Sequence, residues 1–127
     1  MESWRDLSRD ALEAAKTLLV EGRNRSAVSR AYYAAYCALT GEIVGVVSSF
    51  AGGWQNPPHA DVPLYIQNNL PGLAVWERKR LTRLVRTLRL FRENADYRPY
   101  QPIDERIVRD CIRDSTAIQQ ILWGDER

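Results

Sequence analysis

Apolar residues recur along the chain at the spacing of an α-helix, and residues 26–44 are apolar around almost the whole circumference. A helix of this kind is usually buried on most sides. One side of its projection carries small residues (Ala27, Ala31, Ala34, Ala35 and Ala38), and another carries larger ones (Val28, Tyr32, Tyr36, Leu39 and Ile43). The pattern predicts that a helix over residues 25–47 is the centre of a helical bundle.

The two sides of this central helix predict different packing. Alanine lets a second helix approach closely, either within the subunit or across a dimer. Tyrosine fills space, but its hydroxyl needs a hydrogen-bond partner once it is buried. The rest of the chain must therefore supply both packing surfaces and polar partners.

An amphipathic stretch precedes the central helix. Residues 3–21 predict a helix with Ser3 as N-cap, Asp6 completing a weak capping box and Gly22 ending it. Its apolar stripe consists of Trp4, Leu7, Ala11, Ala14, Ala15, Leu18 and Leu19. Because only a short polar turn separates the two helices, we expect them to run antiparallel.

Two further amphipathic stretches lie in the second half of the chain. Residues 73–94 predict a helix with room for one more turn, and residues 104–124 predict another, capped by Asp104. The stripe of the first consists of Leu81, Leu84, Val85, Leu88 and Phe91. The glycines and prolines of residues 48–72 indicate an irregular region. Within it we expect a short helix over about 61–70, capped by Asp61 and with Pro63 in its first turn.

These elements predict an all-α, up-and-down bundle of four main helices plus a short one, in a single domain over residues 1–127. No run of about 18 apolar residues is present, which argues against a transmembrane helix. The first ten residues carry charges and lack an apolar signal core, so we expect a cytoplasmic protein without a membrane partner.

The basic residues are almost all arginines. Only Lys16 and Lys79 are lysines among 18 basic residues, although the net charge is a modest +2. Seven basic residues lie on the helix predicted over 73–94, against Glu77 and Glu93. The basic face of this helix either binds along a nucleic-acid backbone or is a solvated face with its own salt bridges. The enrichment in arginine over lysine can also reflect the base composition of the genome.

Cysteine and histidine usage predicts little metal chemistry. Cys37 and Cys111 both fall within helical patterns, which indicates small buried apolar residues rather than a disulfide. With His59 as its single histidine and no cysteine pair at ligand spacing, the chain is not expected to bind zinc, and no cofactor is expected.

The strongest candidate for chemistry lies at the end of the third long helix. Arg92 falls within the apolar stripe, and a buried guanidinium without a partner is costly. Asp96 lies four residues further on, so the two can pair if the helix continues. Either the pair simply closes the helix end, or Arg92 is held at a cleft to bind a phosphate, with Tyr97 and Tyr100 beside it.

Other residues are weaker candidates. Arg30 and Tyr33 share a flank of the central helix and either extend the cleft around Arg92 or serve internal packing. Trp54 and Trp76 flank the irregular region and either stack on a base or, the alternative that we favour, pack the loop onto the bundle.

Two segments carry a resemblance to a known family. SRAYYAAYCAL at 29–39 and RENADY at 92–97, followed by a closing amphipathic helix, resemble the HEPN domain. They are similar to its small stand-alone branch, whose signature is an Arg-x-x-Ala-Asp-Tyr segment. His59 resembles a histidine found after the irregular region in this branch, and the likeness spans about residues 5–123.

This resemblance implies a homodimeric helical bundle whose motif faces a cleft between subunits. Many such proteins are metal-independent ribonucleases, often toxins encoded beside a minimal nucleotidyltransferase antitoxin. Their catalytic signature is an arginine followed a few residues later by a histidine. Arg92 matches the arginine, but Asp96, Tyr97 and Arg98 stand where the histidine is expected.

The missing histidine leaves three hypotheses. The first is a ribonuclease in which Arg92 holds the phosphate and Asp96 and Tyr97 orient it. His59 either reaches the cleft from the loop or from the other subunit or, the alternative that we favour, is incidental. The second is a non-catalytic module that binds RNA, a nucleotide or a nucleotidyltransferase through residues such as Arg30, Tyr33, His59 and Tyr100. The third is a structural adaptor whose arginines only confer solubility.

Overall fold

The computed structural model describes residues 1–124 and consists of five α-helices. The helices are α1 (Trp4–Val20), α2 (Asn24–Val44), α3 (Val62–Asn69), α4 (Val75–Tyr97) and α5 (Glu105–Trp123). Single 3-10 turns at Ala51–Gly53 and His59–Asp61 interrupt the connection between α2 and α3. The all-α prediction of four long helices and one short helix is therefore confirmed.

Helix α2 is the centre of the bundle and packs against α1, α4 and α5. All five alanines on its small side are at most 1% exposed within this one chain. Ala34 packs with Ala11 and Leu12 of α1. The alanine side therefore serves packing inside the subunit, which decides between the two alternatives left open by the sequence.

Two of the three predicted helix caps form. Ser3 and Asp6 make a reciprocal capping box at the start of α1, and Asp104 accepts a hydrogen bond from the Ile107 amide at 2.9 Å. Asp61 occupies the N-cap position of α3, but the prediction that its side chain caps the helix is wrong. Its backbone is in the helical region, which directs the carboxylate away from the amides that a cap must reach.

The ends of α2 and α4 differ from the predicted bounds. Helix α2 ends at Val44, three residues early, because Gly45 ends the regular hydrogen bonding and the Val46 and Val47 amides both turn back to the Ile43 carbonyl. Helix α4 begins at Val75 and continues to Tyr97, so the further turn that the sequence allowed is present. That extra turn carries Asp96 and Tyr97 on a helix rather than a loop.

Both cysteines are buried, as predicted, and each is a free thiol. Burial raises the pKa of Cys37 to about 11 and that of Cys111 to about 12. Neither thiol therefore provides a reactive thiolate near neutral pH. Within residues 1–124, no helix has the length and apolar character needed to cross a membrane.

Candidate functional site

Arg92 lies near the C-terminal end of α4 with its side chain 28% exposed. Its Nε atom lies 2.9 Å from Oδ2 of Asp96, and its Nη2 atom donates to the Tyr97 hydroxyl at 3.4 Å. The guanidinium also lies over the ring of Tyr97, 5.3 Å from its centroid, and over that of Tyr32 at 5.8 Å. Arg92 is thus held in a recess with an acid and a phenol beside it.

One stripe of α2 faces this recess. It consists of Arg25, Ser29, Tyr32 and Tyr36, which recur every three or four residues and so share one side of the helix. Ser29 Oγ donates to Oδ1 of Asp96, so that carboxylate is held by α2 as well as by Arg92. Rotation of Asp96 away from Arg92 would break both contacts.

Arg25 holds the segment that follows the motif. Its Nη1 atom donates to the carbonyls of Asn94, Ala95 and Arg98 at 3.0–3.2 Å. Its Nη2 atom donates to Pro99 and Gln101 at 3.1 and 2.6 Å. The last carbonyls of a helix need hydrogen-bond donors from outside the helix, and they form its negative end. The Arg25 guanidinium supplies both the donors and a positive charge there.

His59 reaches the same recess from the turn before α3. Its Nδ1 atom lies 2.7 Å from the Tyr32 hydroxyl, and its ring stacks on Tyr36 with centroids 4.2 Å apart. Tyr36 is fixed in turn because its hydroxyl donates to the Pro57 carbonyl at 2.6 Å and accepts from Asn56. The hydroxyls of Tyr32 and Tyr36 therefore form their hydrogen bonds with residues of the irregular region. These bonds hold the segment that contains His59 against the tyrosine side of α2, near Arg92.

Burial lowers the pKa of His59 below its usual value, and the positive charges of Arg92 and Arg89 lower it further. The imidazole is therefore neutral at neutral pH. Within the described part of the chain, its Nε2 atom makes no hydrogen bond. Burial also raises the pKa of Tyr32, which keeps its phenol protonated.

Beside His59 an open groove of about 260 Å³ runs between α4 and the start of α3. Tyr32 and His59 line the groove together with Arg86, Arg89 and Glu93 of α4. Its apolar lining comes from Ala60, Pro63, Val85 and Leu90. The groove combines an apolar wall, positive charge and a neutral imidazole.

The other predicted site residues lie elsewhere. Arg30 lies over the ring of Tyr33 at 4.7 Å, so the two share a flank as expected. The Tyr33 ring also stacks on Tyr36 with centroids 6.4 Å apart, but the structure shows no ring contact or hydrogen bond between either residue and Arg92. Tyr100 is 97% exposed in the segment after α4. Trp54 and Trp76 are 66% and 64% exposed, so the expectation that they pack the loop onto the bundle is wrong.

Two residues of the site, Arg25 and Ser29, were not predicted from the sequence. Both are polar residues on a helix that is otherwise apolar nearly all round, and they lie seven and three residues before Tyr32. That spacing places them on the tyrosine side, which was the available signal. Only the structure shows that this side faces the end of α4.

The site offers nitrogen and hydroxyl groups rather than a set of metal ligands. Among residues 1–124, no group of three or more histidine, cysteine, aspartate or glutamate side chains is arranged to hold a metal ion. The groups that do converge suit the binding of an anion and the transfer of a proton.

Comparison with known proteins gives one result that covers nearly the whole chain. The family model of the HEPN domain matches residues 1–124. Neither the curated proteins nor the solved structures that were compared give a match. The matched range includes all five helices, the recess and the groove. The chain therefore belongs to the HEPN domain family.

Proposed function

We propose that this protein is a metal-independent HEPN ribonuclease, acting as a toxin or in a defence system, with its site in a cleft of a homodimer. The observation that supports the proposal most is the meeting of the Arg92 guanidinium and the neutral His59 imidazole around the Tyr32 ring. RNA cleavage without a metal needs a positive charge at the phosphate and a base of near-neutral pKa for the 2′-hydroxyl.

His59 is the general base in this proposal and takes the place of the histidine that does not follow Arg92. In the tautomer with the proton on Nδ1, the ring donates to the Tyr32 oxygen and Nε2 keeps its lone pair. The lowered pKa of His59 keeps this neutral form available at neutral pH. Stacking on Tyr36 fixes the plane of the ring.

Arg92 binds the phosphate that is cleaved. Its Nε and Nη2 atoms contact Asp96 and Tyr97, whereas Nη1 makes no hydrogen bond with any described residue. Asp96 and Tyr97 therefore orient the guanidinium and leave Nη1 to bind a phosphate oxygen. They are positioning residues in this account.

The reaction follows from these roles. The 2′-oxygen attacks the phosphorus while its proton passes to Nε2 of His59, and the bond from phosphorus to the 5′-oxygen breaks. Arg92 stabilises the charge that develops on the phosphate oxygens. Water, which enters the open groove, protonates the leaving oxygen, and the hydroxide that remains takes up the proton held by His59. The products carry a 2′,3′-cyclic phosphate and a 5′-hydroxyl.

Exposed aromatic side chains beside the site support a homodimer. Tyr97 and Tyr100 are 67% and 97% exposed at the end of α4 and in the segment after it. HEPN domains often dimerise, and a second copy would cover this surface. We further propose a nucleotidyltransferase encoded beside the gene as antitoxin, and a cytoplasmic location.

A second function is supported by a specific observation. Arg92 is already paired with Asp96 at 2.9 Å, and Asp96, Tyr97 and Arg98 stand in place of the usual histidine. A site with this neutralised arginine suits a non-catalytic module that binds RNA or a nucleotide without turnover.

A cleavage assay in excess EDTA separates the two functions. We expect the purified protein to cut single-stranded RNA and to leave cyclic phosphate ends. Arg92→Ala is expected to reduce the rate at least about a hundredfold, and Arg83→Ala, which alters an exposed arginine of α4 outside the recess, is the matched control. Binding of RNA by folded protein without any cleavage would support the module and refute the ribonuclease.

A further inference from the structure

The groove beside His59 has a composition that suits one nucleotide. Its volume of about 260 Å³ lies just below the range of about 300–1,000 Å³ for small-molecule pockets. Pro63 and Leu90 provide apolar surface in the groove. Leu90 is 55% exposed, so its apolar side chain is accessible to a ligand. A base can stack or pack on such surface without regard to its identity, since every base has a flat apolar face.

The charges along the groove suit a phosphate. Arg89 lies 3.2 Å from Glu93 and is thereby neutralised, but Arg86 is exposed and forms no ion pair with any residue from 1 to 124. Arg86 therefore presents an uncompensated guanidinium at the side of the groove, and a guanidinium binds phosphate with two parallel hydrogen bonds.

The residues shared with the proposed site indicate what the groove binds. Its lining includes His59 and Tyr32, which the proposed function places at the scissile phosphate. We infer that the groove is a subsite for the nucleotide next to the cleaved bond in single-stranded RNA, with the base against Pro63 and Leu90 and the neighbouring phosphate on Arg86. This inference rests on the proposed function for the location of the cleaved bond. Duplex RNA is excluded because its bases are stacked and paired inside the helix.

Arg83 provides a matched control for Arg86. Both are exposed arginines of α4, one helical turn apart, and neither is paired with an acid in the described chain. Only Arg86 lines the groove. A general basic surface would lose affinity equally through either residue, whereas a built subsite loses it through Arg86 alone.

The test measures binding to a short fluorescent single-stranded RNA in which 2′-fluoro groups replace the attacking hydroxyls, so that cleavage cannot occur. We expect Arg86→Gln to weaken binding about tenfold and to reduce the slope of log affinity against log salt by about 0.7. Arg83→Gln should change neither quantity. Equal effects of the two variants would overturn the inference.

A second measurement tests the base contact. An abasic nucleotide is moved along the same RNA, and we expect one position to weaken binding to the unaltered protein about tenfold. Leu90→Gln should abolish that penalty. No position-dependent penalty, or a Leu90→Gln protein that changes only its oligomeric state, would overturn the inference and assign the groove to subunit contact. These measurements involve no cleavage. The subsite proposal can therefore be refuted while the ribonuclease proposal holds, and the ribonuclease proposal can be refuted while the subsite proposal holds.

Discussion

The hydroxyl of Tyr32 lies 2.7 Å from Nδ1 of His59, and this contact joins the central helix to the turn before α3. The Tyr32 ring also lies 5.8 Å from the Arg92 guanidinium. Tyr32 thus contacts both His59 and Arg92. These two contacts hold the histidine and the arginine on the same side of α2, although they lie far apart in the sequence.

Removal of the Tyr32 hydroxyl is expected to impair catalysis more than folding. Tyr32→Phe keeps the ring that contacts Arg92 but loses the hydrogen bond that orients the His59 ring, so we expect RNA cleavage to fall about tenfold. Tyr65→Phe is the control, since the Tyr65 ring packs on Phe50 outside the recess and its hydroxyl forms no hydrogen bond with any residue from 1 to 124. Equal rates for the two variants would contradict the role given to Tyr32.

The pH dependence of cleavage follows from the lowered pKa of His59. A base acts when it is unprotonated, so the rate should rise with pH through the pKa of the folded protein and then reach a plateau. Because burial and the two arginines lower that pKa, the plateau should extend below the usual histidine value of about 6.5. A profile that rises only above that value would show that His59 is not the base.

The same pKa predicts how stability changes with pH. The unfolded chain binds a proton at His59 at a higher pH than the folded chain does, so acidification favours unfolding. The free energy of unfolding should therefore fall as pH drops from about 6.5 towards the lower pKa of the folded state. This decrease should be smaller in His59→Asn, as measured by urea unfolding at several pH values. An unchanged slope in the variant would contradict the burial of a neutral imidazole.

Loss of Arg25 should loosen the segment after α4. Arg25→Ala removes a donor from five backbone carbonyls, of which those of Asn94 and Arg98 keep a backbone amide, and we expect a loss of about 1–3 kcal/mol in the free energy of unfolding. Hydrogen exchange should rise at residues 97–101. Arg23→Ala is the control, because Arg23 is exposed and its side chain forms no hydrogen bond or ion pair with any residue from 1 to 124. Similar losses in both variants would show that charge alone accounts for the effect.

The alanine side of α2 should not tolerate a larger residue. Ala31 is 0% exposed, so Ala31→Leu should lower the free energy of unfolding by about 1–3 kcal/mol through overpacking. Ala14→Leu, at a partly exposed position of α1, should have little effect. A folded, equally stable Ala31→Leu protein with a changed oligomeric state would place the alanine side at a subunit contact instead.

The fold could be predicted from the sequence because apolar periodicity, caps and breakers all act locally. The stripe of α4, the Ser3 capping box and the Asp104 cap each depend on residues a few positions apart. The errors arose where the local rule was incomplete. The Asp61 cap failed because the backbone of Asp61 is helical, and Gly45 ended α2 earlier than its apolar pattern suggested.

The site could be predicted only in part. The pairing of Arg92 with Asp96 follows from a separation of four residues, so periodicity sufficed. The approach of His59 to Tyr32 bridges 27 residues and depends on the path of an irregular loop, which no local pattern determines. For the same reason the sequence placed Arg30 and Tyr33 near the cleft, whereas Ser29 and Tyr32 on the adjacent side contact it.

The most direct test of the account compares single-turnover RNA cleavage, in EDTA, by the unaltered protein, His59→Asn and His59→Gln. Asparagine can keep the hydrogen bond to Tyr32 but has no atom at the position of Nε2, and neither amide can act as a base at neutral pH. We expect both variants to remain folded and to lose about a hundredfold or more in rate. Cleavage at the full rate by folded His59→Asn would contradict the claim that His59 supplies the base beside Arg92.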